Sequence, residues 1–440
     1  MIRALPLFAL LCCSCSLSHG LDGPGGARDA SLPGSSDAAR PGGDAGDAGM
    51  DRGGPDATTR RDGGGSRVEC VDAPPETPVA DRVVQVVAGV HTCVRTESGR
   101  VTCWGYDEHG QMGRGEAGPP SPPVVVEGLP PARSILGGTH FTCAIDLEGA
   151  LRCWGSNRYG TLAMDAGLGE MGEAQPITAV ALPGPVADAC AGSRHVCARL
   201  EDRRVLCWGD DEWGQVGVPR RPIPITTPTV VAHDVDALDC GAWASCAQRG
   251  EELLCWGARY TFVDRIRHEV DAEVEPPTPQ PVRLADGDGF AVGYARCRRT
   301  AAGAVECWGS ARGPLGRRRP EPPDPGWADP EPVRAVTDVV DLDVHNHGCV
   351  ALASGEVRCW MGAVEGGMTF GQLGHGRLGA LAEPRVSAIG VCHARHVSVG
   401  FNQTCSWTDD GVVACWGNNT HGGIRLGERD RVDLPIRVWP

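Results

Sequence analysis

Residues 89–105 read Gly89-Val90-His91-Thr92-Cys93-Val94-Arg95-Thr96-Glu97-Ser98-Gly99-Arg100-Val101-Thr102-Cys103-Trp104-Gly105. The frame of a cysteine, a second cysteine nine or ten positions on and a tryptophan directly after it returns along the chain. The seven pairs are Cys93 and Cys103, Cys143 and Cys153, Cys197 and Cys207, Cys246 and Cys255, Cys297 and Cys307, Cys349 and Cys359, and Cys405 and Cys415. Trp104, Trp154, Trp208, Trp256, Trp308, Trp360 and Trp416 follow them, and glycine comes next in all but one, where Met361 stands. A proline ahead of a short β-prone run separates the units, at Pro123, Pro176, Pro228, Pro281, Pro332, Pro384 and Pro435, at intervals of 51 to 53 residues. A fixed period of this length is the signature of a repeat architecture.

The spacing inside each pair converts to geometry. In the fourth unit nine positions separate Cys246 and Cys255, and pairing them leaves Gly250-Glu251 as a two-residue turn with glycine first, the requirement of a type II′ hairpin. The ten-spaced units leave three loop residues, the last being Gly99, Gly149, Gly303, Gly355 or Gly411, with Arg203 as the exception. That is the left-handed position of the three-residue hairpin, where a non-glycine residue is strained. Insertion and glycine position change together, so each cysteine pair keeps one register across two antiparallel strands. The pair falls at a non-hydrogen-bonded position, where Cα atoms lie ~4.5 Å apart and a disulfide is feasible. A zinc site needs CxxC-like spacings, which are absent beyond the N-terminal segment. Each staple closes about eleven residues, worth up to ~3 kcal/mol in the chain-entropy model. Cys70, Cys190, Cys240 and Cys392 stand outside the pattern, and four cysteines allow three connectivities. The near-equivalent places of Cys190 and Cys240 in consecutive units suggest a bridge between neighbours, leaving Cys70 for Cys392.

The succession of glycine, His-Thr-Cys, a glycine hairpin, Cys-Trp-Gly and an Asn/Asp-rich stretch ending Gly-Gln-Leu-Gly resembles the regulator of chromosome condensation repeat. The matching residues include His91-Thr92-Cys93 with Gly110-Gln111-Met112-Gly113, His195 with Gly214-Gln215-Val216-Gly217, and Gly371-Gln372-Leu373-Gly374. The resemblance covers residues 80 to 440 and implies an all-β, closed seven-bladed β-propeller with four antiparallel strands per blade. The first unit lacks a preceding proline-led strand and the seventh has an extra one, so Leu434–Trp439 is expected to complete the blade begun by Val83 to Ala88.

The chain has 440 residues, a net charge of −15, 21 cysteines, 62 glycines and 35 prolines, and all 41 of its basic residues are arginine. With no lysine, a phosphate-cradling Gly-Lys-Ser/Thr loop and Schiff-base or Ser-Lys catalysis are excluded. The acidic balance argues against nucleic acid as a partner. Residues 1–15 read as a signal peptide, with Cys15 or Cys13 similar to the lipidation site of bacterial lipoproteins. Residues 16–67, rich in Gly, Asp, Ala and Pro, read as a disordered spacer, and 68–440 as the propeller. These features place the chain in a bacterial cell envelope or outside the cell, with the membrane reached only through that lipid anchor.

His91, His140, His195 and His347 sit at unit entrances and read as packed, hydrogen-bonded parts of the repeat. Before the Gly-Gln glycine stand His109, Tyr159, Trp213, Phe370 and His421, which would share one rim and supply anchors for a partner. Asp341, Asp343, His345 and His347 alternate along a strand and are weak candidates for a divalent ion. No catalytic motif is present and no cofactor is implied. The chain reads as a non-enzymatic, monomeric scaffold that binds a protein or envelope macromolecule through one face. Two other roles follow the resemblance: exchange-factor-like activity, as in nuclear members that act on a small GTPase, and an envelope hydrolase or enzyme inhibitor with its site at the central channel. A secreted bacterial relative inhibits β-lactamases, and the plant ultraviolet-B photoreceptor shares the repeat.

Overall fold

The computed structural model describes residues 59–61, 67–168, 173–219, 224–258, 278–285, 287–310, 314–316, 327–362, 370–376 and 383–439. The signal segment, Cys13, Cys15 and most of the spacer lie outside them. At the end of the spacer Thr59–Arg61 pairs antiparallel with Arg67–Glu69, across the glycine-rich Asp62-Gly63-Gly64-Gly65-Ser66. The described residues contain strands and turns and no helix.

The propeller is a succession of seven antiparallel meanders, each built from consecutive strands. In blade 1, Val83–Val87, His91–Thr96, Val101–Gly105 and Ser121–Val125 pair in chain order. Six blades have four strands; in the sixth the fourth strand is reduced among the described residues to one bridge between Arg358 and Ser387. The innermost strands are Val83–Val87, Ala132–Gly137, Val186–Ala191, Ala237–Cys240, Gly289–Val292, Val339–Val344 and His396–Val399, and each touches the next around an axis, the last touching the first.

The hairpin chemistry has the form that the spacing dictates. Gly250 takes φ 57°, and the third loop residues Gly99, Gly149, Gly303, Gly355 and Gly411 take φ from 79° to 85°. Arg203 is held at φ 68° in the same place, a conformation costly for a residue with a Cβ. Cys246 faces Cys255, and Arg249 faces Glu252. All seven hairpin pairs are bridged, with Cα atoms 4.0 to 4.1 Å apart. Cys190 is bridged to Cys240 and Cys70 to Cys392.

The repeat tryptophans bind blade to blade. Each is buried, and Trp154 of blade 2 packs into a cluster with Cys93, Val101, Cys103 and Met112 of blade 1. Its indole N–H donates to the Gln111 carbonyl at 2.9 Å. Trp208, Trp256, Trp360 and Trp416 donate in the same way to Thr161, Gln215, Pro314 and Gln372 of the preceding blade, at 2.8 to 3.0 Å. Trp104 donates to Ile424 at 3.1 Å, so blade 1 is joined to blade 7 by the same device.

The ends are joined differently from the sequence expectation. Arg431–Trp439 pairs with Val413–Asn418 and finishes blade 7, while the fourth strand of blade 1 is its own Ser121–Val125. The proline-led strand after each unit is the outer strand of the same blade, reduced in blade 6 to the Arg358–Ser387 bridge, and in blades 1 and 3 the Gly-Gln loop turns the chain straight back onto the Cys-Trp-Gly strand. In place of strand exchange the N-terminal segment is clasped onto the strip between blades 6 and 7. Beside the Cys70–Cys392 bridge, Val71 N–H donates to the Gly390 carbonyl at 2.8 Å. The Asp72 carboxylate accepts from the N–H groups of Cys392 and His393 at 2.9 and 2.8 Å.

Candidate functional site

The inner strands enclose a channel with a cavity of about 510 Å³, into which Asp239, Cys190, Cys240 and Asp343 look. Its wall is tied together by side chains that reach the next blade's backbone. The Gln85 amide pairs with both backbone groups of Ile135, at 2.8 and 3.0 Å. Asp239 accepts from Val292 N–H at 2.7 Å, Asp341 from Val397 at 3.0 Å and Asp343 from Val399 at 2.7 Å. Burial, and next the Asp239 carboxylate, pushes Asp343 up to about 7; burial pushes Asp239 up to about 6.

In this arrangement the four weak candidates for a divalent ion, Asp341, Asp343, His345 and His347, have separate partners. Asp341 and Asp343 are engaged with blade 7, and the two ring nitrogens of His347 lie 2.7 Å from Thr404 Oγ1 and 2.7 Å from Asn346 Oδ1. His345 instead packs between Tyr294 and Phe401. Among the described residues one three-member grouping of metal-ligating types occurs, His195, Cys197 and Cys240, and both cysteines are in disulfides.

The entrance histidines divide into two kinds. His91 Nε2 lies 2.8 Å from Thr142 Oγ1, whose proton goes to the Gln111 carbonyl, so the imidazole donates. His195 with Ser245 and His347 with Thr404 repeat the arrangement at 2.7 Å. Burial lowers His91 to about 4 and His195 and His347 to about 3, so these three are neutral links between blades. His140 differs: Phe141 occupies the packed position two before the cysteine, and His140, three before it, faces the channel mouth.

That column, three residues before the first cysteine, meets the loop positions before the Gly-Gln glycine and forms a belt around the mouth. His421 packs on Tyr106 at 4.6 Å between ring centroids, Tyr106 on His140 at 5.9 Å, and His140 on His109 at 4.4 Å. Arg194 lies over Tyr159 at 4.2 Å and over Trp243 at 5.1 Å, and Trp243 meets Trp213 at 5.8 Å. Phe401, 52% exposed, continues the belt through His345 to Tyr294. Of the rim residues named from sequence, His109, Tyr159, Trp213 and His421 enter these contacts. Phe370 is half-buried, with its N–H donated to Gln372 Oε1 at 2.6 Å.

Tyr106, Arg194, Trp243, Tyr294 and Phe401 were not legible as site residues. For Arg194, Trp243 and Tyr294 the signal was the column Val90, His140, Arg194, Trp243, Tyr294, Asn346 and Asn402, rich in rings and polar side chains beside a strictly patterned neighbour, whereas Tyr106 and Phe401 stand outside that column. Side chains inside each loop fix its backbone. Asp107, Asn157, Asp211 and Asn419 each accept, at 2.9 Å, from the N–H five residues on, and Gln111 and Gln215 accept from the N–H of His109 and Trp213.

Comparison with known proteins gives a consistent result. A family model described as "Regulator of chromosome condensation (RCC1) repeat" matches residues 83–111, 135–161 and 186–215, and a second of that description matches 98–145. The chain is 31% identical over 188 residues to the RCC1 domain-containing protein RUG3, mitochondrial, of Arabidopsis thaliana, covering 40% of this chain and 42% of that protein. It is 26% identical over 364 residues to the E3 ubiquitin-protein ligase HERC2 of Homo sapiens, covering 78% of this chain and 7% of the ligase. The match to the Arabidopsis thaliana ultraviolet-B receptor UVR8 is 26% over 254 residues, 56% of this chain and 45% of the receptor. The chain thus spans less than half the length of each of these relatives. Among solved structures, yeast RCC1 (Prp20), described bound to Kap60, has a TM-score of 0.64 at 18% identity, covering 83% of this chain and 89% of that one. Human WBSCR16 has a TM-score of 0.61 at 19% identity, covering 78% and 94%. These likenesses show the fold.

Proposed function

We propose that this chain, a propeller of regulator of chromosome condensation repeats, is a non-enzymatic protein-binding scaffold that works outside the reducing cytoplasm through the mouth of its channel. The observation that carries the reading is the belt of touching Tyr, Trp, His and Arg side chains. Tyr, Trp and Arg are the residue types enriched at interface hot spots, because they bring large rigid contact areas with polar tips. The loops that present them are fixed before a partner arrives, which lowers the ordering entropy lost on binding. Nine disulfides among the described residues support an oxidising compartment, and the N-terminal segment supports export to an envelope or beyond it. Yeast RCC1 (Prp20), which shares the fold, is described bound to Kap60 and with binding properties to Gsp1p and histones, which supports protein binding as the use of this scaffold.

The test is affinity capture from envelope extracts with the oxidised chain as bait, alongside a Tyr106→Ala/Phe401→Ala variant with unchanged thermal unfolding. A single stoichiometric protein, captured by the wild type and lost from the variant, is the expected result. No captured protein, together with hydrolysis of small substrates that depends on the channel, would replace the scaffold with an enzyme.

A further inference from the structure

We propose that the channel mouth carries a carboxylate-binding subsite built on Arg194, and that the segment of the protein partner seated there is acidic. This inference rests on the scaffold reading and specifies the chemistry of its ligand.

Arg194 lies in the turn between the inner strand Val186–Ala191 and the strand His195–Leu200. The turn is fixed on both sides: Gly192 N–H donates to the His195 carbonyl at 2.9 Å and Ser193 N–H to Ala242 of blade 4 at 3.2 Å. The Arg194 carbonyl itself accepts from Asp210 N–H at 2.9 Å. The guanidinium is held between two rings, 4.2 Å from the centre of Tyr159 and 5.1 Å from that of Trp243. A guanidinium stacked on its faces keeps its N–H donors in the plane, as a rigid fork matched to the two oxygens of a carboxylate.

That fork is not saturated from within. Asp210 Oδ2 lies 3.8 Å from Arg194 Nη1, beyond hydrogen-bond length, and the other Asp210 oxygen accepts from Glu212 N–H at 3.1 Å. The Arg194 side chain stays 34% exposed and lines the cavity. A second guanidinium, that of Arg158, lies 5.3 Å from the same Tyr159 ring. His140, next to both arginines, is held down to about 3, chiefly by burial, so the positive charge here belongs to the arginines. Carboxylates stand at the same mouth, Asp210 beside Arg194 and Asp239 and Asp343 in the channel wall, so the ligand is chosen by the unfilled fork of Arg194 and not by an overall positive charge. The paired N–H donors of that fork select an anion with two oxygens, and the surrounding Tyr and Trp rings fit the neighbouring side chains of a peptide better than a free inorganic ion.

The experiment titrates the oxidised full chain with hexaglutamate, with hexaglutamine and with inorganic phosphate, following tryptophan fluorescence and calorimetry. Saturable binding of hexaglutamate alone is expected, weakened by added salt. Arg194→Gln should weaken it at least about tenfold, the loss of one charge-assisted paired contact. Arg194→Lys, which keeps the charge and loses the stacked fork, should also weaken it several-fold, which general charge attraction would not produce. Equal thermal unfolding of the variants and wild type secures the comparison. Absent hexaglutamate binding, unchanged binding in Arg194→Gln, or phosphate bound as tightly as the peptide would each overturn the proposal. If one of these occurs while Tyr106→Ala/Phe401→Ala still loses a captured protein, the scaffold reading stands and the carboxylate subsite falls.

Discussion

Replacing Cys70 and Cys392 together by serine removes the one covalent bond that joins the start of the ring to its last blades. The bridge closes a sequence separation of 322 residues, for which the chain-entropy model gives a stabilisation of about 6 kcal/mol at 25 °C. Six hairpin staples and the Cys190–Cys240 bridge lie inside that loop; with Cys197–Cys207 already within the span of Cys190–Cys240, they shorten the path to roughly 230 residues, which lowers the figure to about 5 kcal/mol. The non-covalent half of the clasp, Val71 to Gly390 and Asp72 to Cys392 and His393, survives the substitution and keeps the ends in register. By the same relation Cys246→Ser/Cys255→Ser, which opens a separation of 9 residues, should cost about 3 kcal/mol. Guanidinium unfolding of the oxidised proteins, followed by tryptophan fluorescence, compares the two. The clasp variant should lose nearly twice as much stability as the hairpin variant. An equal or smaller loss would mean that the inter-blade contacts close the ring without the bond.

Three further outcomes are expected. Asp343, pushed up to about 7, contributes stability that is present in full below its unfolded value near 4 and is lost as pH rises through 7. His91, His195, His345 and His347, held near 3 to 4, act oppositely and lose stability as pH falls below about 6.5, so melting temperature should peak near neutrality. Asp343→Asn should therefore compare more favourably with the wild type at pH 8 than at pH 5; a pH-independent difference in melting temperature would refute this. Arg203→Gly should be about 1 kcal/mol more stable than Arg203→Ala in denaturant unfolding, because both lose the Asp236 ion pair and only glycine suits φ 68°. Thr142→Val, which strands the His91 donor and frees the Gln111 carbonyl of one partner, should cost about 2 kcal/mol, whereas Thr142→Ser should cost under about 1.

What the sequence made legible is what repeats. Cysteine spacing and glycine position together determine a hairpin register, because a two-residue and a three-residue turn need their left-handed residue at different places. What was not legible depends on which strand lies beside which. The proline-led strand reads equally well as the first strand of the next blade or the last of its own, and only the return of the Gly-Gln loop onto the Cys-Trp-Gly strand decides it. His140 shares its residue type with His91 while standing one position away, and along a strand one position turns a side chain to the other face. Asp341 and Asp343 do share a face, but that face meets the backbone of the next blade, which takes up their oxygens.

The division of labour inside each loop explains why the rim can vary at all. Asp107, Asn157, Asp211 and Asn419, after the Cys-Trp-Gly strands of blades 1, 2, 3 and 7, and the Gln of the Gly-Gln pair in blades 1 and 3 hold their loops through backbone N–H groups. The carbonyl of Gln111, Gln215 or Gln372 then receives the tryptophan and the hydroxyl of the following blade. Residues at the rim, such as His109 and Trp213, contribute their backbone N–H to this scheme and leave their rings outside it. Exchanging a rim side chain therefore leaves the loop and the neighbouring blade intact, whereas exchanging a Trp removes an inter-blade hydrogen bond and exchanging a Gln releases the side-chain hold on the loop that presents the accepting carbonyl. Recognition can be rewritten at the mouth at small cost to the fold, and the departures from the repeat, Arg194 between Tyr159 and Trp243 foremost, concentrate there.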